Sequence, residues 1–69
     1  MEIRNLESFI LAAELGSFTK AAEKLGYTQS SVSLQIKSLE RELGVSLFDR
    51  VNHTIRLTSK GKEILDLAH

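Results

Sequence analysis

Apolar residues fall at Phe18, Ala21, Ala22 and Leu25, the i, i+3, i+4, i+7 spacing that puts them on one stripe of an α-helix. A second stripe follows at Val32, Ile36, Leu39 and Leu43. Between the two, Gly26 offers the left-handed residue that ends a helix, and Thr28 is a suitable cap for the next. Opposite its apolar stripe the later helix carries Gln29, Ser30, Ser33 and Leu34, with Lys37 its one charge there. Ala22 lets the helices approach closely, where a larger side chain would hold them apart. Two short amphipathic helices joined by a glycine turn predict a helix-turn-helix, whose second helix suits a DNA major groove.

The flanking pattern extends this. Leu6, Phe9, Ile10 and Ala13 predict a first helix from about Arg4 to Leu15, stopped by Gly16. Ser17 caps a second helix over Phe18–Leu25, and a third runs from after Thr28 to about Leu43, stopped by Gly44. Beyond Gly44 the texture changes: Val45, Leu47 and Phe48 are apolar, and Arg50 to Leu57 alternates loosely around Asn52, His53 and Thr54. This predicts two short strands in a hairpin. Thr58 or Ser59 then caps a fourth helix carrying Ile64, Leu65 and Ala68, with no stop signal before His69.

The expected fold is mainly α, a winged helix-turn-helix: a three-helix core, a short β-hairpin wing and the start of a C-terminal linker helix. The winged domain is expected over 1–58 and the linker or dimerisation helix over 59–69. The expected core is Leu6, Phe9, Ile10, Phe18, Ala22, Leu25, Val32, Ile36, Leu39, Leu43, Leu47, Phe48 and Leu57.

Length allows one domain only: 69 residues are near the lower limit for a self-sufficient core. The chain has no Cys, which excludes disulfides and thiolate metal sites, and no Pro, which suits a helix-rich chain. No signal peptide is visible at Met1-Glu2-Ile3-Arg4, and the longest apolar run, Phe9 to Ala13, is too short to span a bilayer. The expectation is a cytoplasmic protein without a membrane partner.

Charge complicates the nucleic-acid reading. Nine basic and nine acidic residues give a formal net charge of zero, whereas phosphate contacts supply much of the affinity of DNA-binding modules. The distribution restores it. Arg50, Arg56, Lys60 and Lys62 lie in an acid-free stretch over residues 50–62, so a neutral chain can still present a basic face. Neither His53 nor His69 shares a metal-ligand spacing with acids. There is also no glycine-rich phosphate loop and no nucleophile elbow. No catalytic residue, metal ligand or cofactor is expected.

At this point the residues resemble a family. The matching elements are Gly16-Ser17-Phe18-Thr19, Ala21-Ala22, Leu25, Gln29-Ser30, Val32-Ser33, Ile36, Leu39-Glu40, Leu43-Gly44, Leu47-Phe48, Arg50, Leu57-Thr58 and Gly61. Together they resemble the N-terminal DNA-binding domain of the LysR-type transcriptional regulators, in one ungapped register across nearly the whole chain. The resemblance implies a bacterial regulator several times longer. Its C-terminal domain would sense a small-molecule effector, and the fourth helix would extend to pair two subunits on an interrupted palindrome of double-stranded DNA. This fragment alone is expected to be a monomer or a weak dimer.

The resemblance also implies site residues. Gln29 sits where the family places a reading glutamine; a bidentate pair with adenine is worth about 1–3 kcal/mol of discrimination. Ser30 and Ser33 are expected to meet bases. Leu34 stands where many relatives carry Arg or Gln. It either packs on a thymine methyl or is an exposed leucine at a subunit contact, and the sequence leaves both open. Expected contacts to the DNA backbone or minor groove are Thr19, Thr28, Ser31, Lys37, Arg50, His53, Arg56 and Lys62. Three have a plainer role open to them: Ser31 as a helix-start serine, Arg50 in an ion pair with Glu40 or another acid, His53 as an ordinary loop histidine. The chain departs from the family at the wing tip, where His53 and Thr54 stand in place of arginine, and at Lys60, where relatives carry a small residue. The rival reading is a winged-helix protein–protein interaction module, favoured by zero net charge and the missing wing arginines.

Overall fold

The computed structural model describes residues 2–51 and 54–68. Helix α1 covers Ile3–Leu15, α2 Phe18–Leu25 and α3 Gln29–Leu43. Strands β1 (Phe48–Val51) and β2 (Thr54–Leu57) form an antiparallel hairpin, and α4 follows over Ser59–Ala68. The architecture is the winged helix-turn-helix expected. Asn52 and His53, the expected hairpin tip, lie outside the described residues.

Local chemistry explains the boundaries. Ser17 Oγ accepts the Lys20 N–H at 3.1 Å and starts α2, and Thr28 Oγ1 accepts the Ser31 N–H at 3.1 Å and starts α3. Gly26 ends α2 with φ +78°, a left-handed conformation that glycine adopts without steric cost, and the Tyr27 N–H closes on the Ala22 carbonyl at 2.9 Å. That single turn redirects the chain into α3.

α1, α2 and α3 pack pairwise, and α4 lies against α1 and β2. The buried core is Phe9, Ala12, Phe18, Ala21, Ala22, Val32, Ile36, Leu39, Leu47 and Phe48. Leu6, Ile10, Leu43 and Leu57, expected inside, pack half-buried at its edge, and Leu25 is also half-buried. The largest departure is in α1. Its buried line is Asn5, Ser8, Phe9 and Ala12, rotated from the expected Leu6, Phe9, Ile10 and Ala13. The reason is a polar tie. Ser8 is fully buried, and its hydroxyl donates to Gln35 Oε1 on α3.

Replacing Ser8 by alanine removes the donor to the half-buried Gln35 oxygen. Such losses cost about 1–2 kcal/mol. The expected outcome of urea denaturation is an unfolding free energy reduced by that amount, seen as a lower midpoint with an unchanged slope, and an unshifted midpoint would contradict the tie.

A candidate nucleic-acid interface on α3 and the hairpin

The inner stripe of α3 is Val32, Ile36 and Leu39. It fixes which side chains face out. Gln29, Ser30, Leu34 and Lys37 are exposed, Ser33 is half-exposed, and Leu34 is 64% exposed. Ser30, Ser33, Leu34 and Lys37 follow i, i+3, i+4, i+7 and form one outward line, with Gln29 at its N-terminal end.

Thr28 and Ser31 are engaged locally: besides the cap, the Thr28 hydroxyl donates to Ser31 Oγ at 3.0 Å. Both serve the start of α3, and Thr28 remains exposed beside Gln29. Thr19, in the first turn of α2, is exposed too. A groove lined by Ser17, Phe18, Thr19, Gln29, Arg50 and Thr54 joins the N-termini of α2 and α3 to the hairpin. Two helix N-termini, each with backbone N–H groups short of partners, therefore open on the same concavity as an arginine.

Arg50 occupies a built position. Its guanidinium lies over the Phe18 ring, 5.2 Å from the centroid, and Nη2 donates to Ser33 Oγ at 3.3 Å. Glu40, the acid offered as an alternative ion-pair partner for Arg50, is engaged elsewhere: its Oε2 accepts the backbone N–H of buried Leu47 at 2.7 Å. That N–H lies in the loop leaving α3, away from any ladder, and a carboxylate is the stronger acceptor for it. Ser33 is thus coupled to Arg50.

Strand alternation divides the basic segment. Phe48 pairs with Leu57 and Arg50 with Ile55 on the side of the core; Asp49 pairs with Arg56 on the other. Arg56 lines a second, shallow concavity with Asp49, Leu57, Lys62 of α4 and Ala13 of α1. Lys60 pairs with Glu63 at 3.4 Å on the exposed side of α4. Residues 50–62 therefore do not form one basic face: Arg50 joins the α2–α3 groove, whereas Arg56 and Lys62 stand together elsewhere. His53 lies outside the described residues.

Two relations, one within this interface and one behind it, carry no sequence signal. Phe18 is expected in the core alone, yet its ring carries the Arg50 guanidinium; a helix phenylalanine and a hairpin arginine far apart in sequence show no sign of the pairing. Gln35, which sits between Leu34 and Ile36, faces inward to Ser8, a pairing across 27 residues that periodicity does not register. Among the described residues no group of His, Cys, Asp or Glu is arranged to hold a metal ion, and no helix is long and apolar enough to cross a membrane.

Comparison with known proteins bears on this geometry. The profile of the bacterial regulatory helix-turn-helix proteins of the lysR family matches residues 3–62. The HTH-type transcriptional regulator in the ibpB-leuC intergenic region of Azotobacter vinelandii is 45% identical over 69 residues, which is all of this chain and 48% of that protein. The HTH-type transcriptional regulator YwqM of Bacillus subtilis (strain 168) is 52% identical over 62 residues, 90% of this chain and 21% of that protein. The chain thus spans about half the length of the first relative and about a fifth of the second. Among solved structures, the CbnR DBD in complex with DNA superposes with a TM-score of 0.93 at 40% identity, covering 99% of this chain and 78% of that one. The chain belongs to the lysR family of bacterial regulatory helix-turn-helix proteins.

Proposed function

We propose that this domain binds double-stranded DNA sequence-specifically, with α3 in the major groove and the hairpin bracing the adjoining backbone or minor groove. The observation that carries the reading is the outward line of α3 running into the groove that holds Thr19 and Arg50. Gln29, Ser30, Ser33 and Leu34 meet base edges in this reading. Thr19, Thr28, Ser31, Lys37 and Arg50 meet the backbone beside them, and His53, Arg56 and Lys62 reach backbone or minor groove at the wing side. The solved complex of a relative's domain with DNA supports it. Within a longer protein the domain controls transcription from an interrupted palindrome, pairs with a second copy through an extension of α4, and answers a small-molecule effector bound by a C-terminal domain. Its place is the cytoplasm, with the chromosome, and it performs no catalysis.

The test is selection from a randomised duplex pool followed by fluorescence-anisotropy titration, beside Gln29→Ala. The expected result is an enriched half-site that loses its preference at one base pair in the variant, a discrimination of about 1–3 kcal/mol. Affinity is expected to fall with salt at a slope near −0.9 per phosphate neutralised. No enrichment and no salt-dependent binding would overturn the reading in favour of a protein–protein module, which the zero net charge would suit.

A further inference from the structure

Leu34 is anomalous. It is 64% exposed in the middle of the outward face of α3, whose other members are Gln29, Ser30, Ser33 and Lys37. Its neighbours one helical turn away, Ser30, Ser31, Lys37 and Ser38, are all polar. The other exposed large apolar residues among those described, Ile3, Leu15, Tyr27 and Leu67, lie on α1, in the α2–α3 turn and on α4. No apolar patch surrounds Leu34, which removes the main support for a protein contact there.

An isobutyl group facing base edges has few matches. The major groove displays hydrogen-bond donors and acceptors at every pair, and its one apolar projection is the C5-methyl group of thymine. Opposite guanine or cytosine, Leu34 would strip water from polar edges and return no hydrogen bond. We infer that Leu34 reads the thymine C5-methyl group at one position of each half-site, which makes it a specificity-determining residue. The inference rests on the proposed DNA reading and goes beyond it by naming the chemical group read.

Deoxyuridine deletes that methyl and changes nothing else on the base edge, so it isolates the contact. The probe is a half-site duplex recovered by selection, synthesised with thymine throughout or with deoxyuridine at one thymine at a time. Wild-type and Leu34→Ala domains are titrated against each, with circular dichroism to verify that the variant folds. One buried methyl corresponds to about a fourfold change in affinity. The expected result is that one deoxyuridine position weakens wild-type binding by about fourfold while Leu34→Ala binds both duplexes alike. Equal wild-type affinity at every position would overturn the inference, as would a methyl effect that persists in Leu34→Ala, or a selected site without thymine. Failure to bind even the thymine duplex would instead sink the DNA reading itself.

Discussion

Phe48→Ala is expected to leave the domain largely unfolded at room temperature. Phe48 begins β1 and is almost fully buried. Its ring meets Phe9 of α1 at 5.6 Å between centroids and Phe18 of α2 at 5.4 Å, with interplanar angles of 62° and 79°. These T-shaped contacts attach the hairpin to two helices at once. Truncating a buried phenylalanine costs about 3–5 kcal/mol, and a chain of this length has a total stability of about 3–10 kcal/mol. The loss therefore takes a large share of the stability available and, at the lower end of that range, all of it. Far-UV circular dichroism with urea titration checks it: the expected outcome is a lost or much shortened folded baseline. A penalty below about 1 kcal/mol would contradict the core as described.

The same substitution reaches the candidate interface. Phe18 lies between the core and Arg50, in contact with Phe48 on one side and under the guanidinium on the other. Arg50 in turn holds Ser33. Phe48→Leu keeps apolar volume and most of the fold, at a cost of about 1–2 kcal/mol, but withdraws the ring that positions Phe18. The packing of three phenylalanines is thus continuous with the placement of an outward-facing arginine.

Much of this was legible in the sequence because the chain punctuates itself. Glycines at 16, 26 and 44 and the caps Ser17 and Thr28 bound the helices where periodicity predicts them, and α2 runs over Phe18–Leu25 as expected. The outward face of α3 was legible for the same reason: once Val32, Ile36 and Leu39 point inward, Gln29, Ser30, Ser33 and Leu34 cannot. What failed to show were relations between distant segments. Periodicity counts a serine as outward, so it missed Ser8, whose hydroxyl is satisfied by Gln35 on another helix. Charge matching offered Glu40 to Arg50, but an unpaired backbone N–H at Leu47 lies within the carboxylate's reach. Basic residues close together in sequence suggest one face, whereas the hairpin register sets Arg50 opposite Ile55 and Arg56 opposite Asp49, which sends the two arginines to opposite sides.

Gly61 is the other residue whose role only the packing reveals, and Gly61→Ala is expected to destabilise the domain by about 2–3 kcal/mol. In an exposed helix the same change is stabilising by about 1 kcal/mol, because alanine is the better helix former. Here the sign reverses. A Cβ on Gly61 would stand 2.3 Å from the Leu47 carbonyl oxygen and 3.0 Å from Leu57 Cδ2. That carbonyl cannot simply retreat, since it accepts the Thr58 N–H at 3.0 Å. Thr58 is fastened on both sides, its oxygen accepting the Gly61 N–H at 2.9 Å and its hydroxyl donating to the Ser46 carbonyl at 2.5 Å. The first turn of α4 is therefore clamped to the segment entering β1. Adding one methyl forces α4 away from α1 and β2, the elements it packs against. Thermal melting is expected to show a midpoint lower by roughly 10–20 °C. Hydrogen exchange is expected to show α4 amides losing protection before those of α3. An unchanged or raised midpoint would mean that helix propensity outweighs the clash and that α4 is free to shift. Because α4 is the element proposed to carry the second copy of the protein, the close approach at Gly61 sets the direction in which that copy would lie.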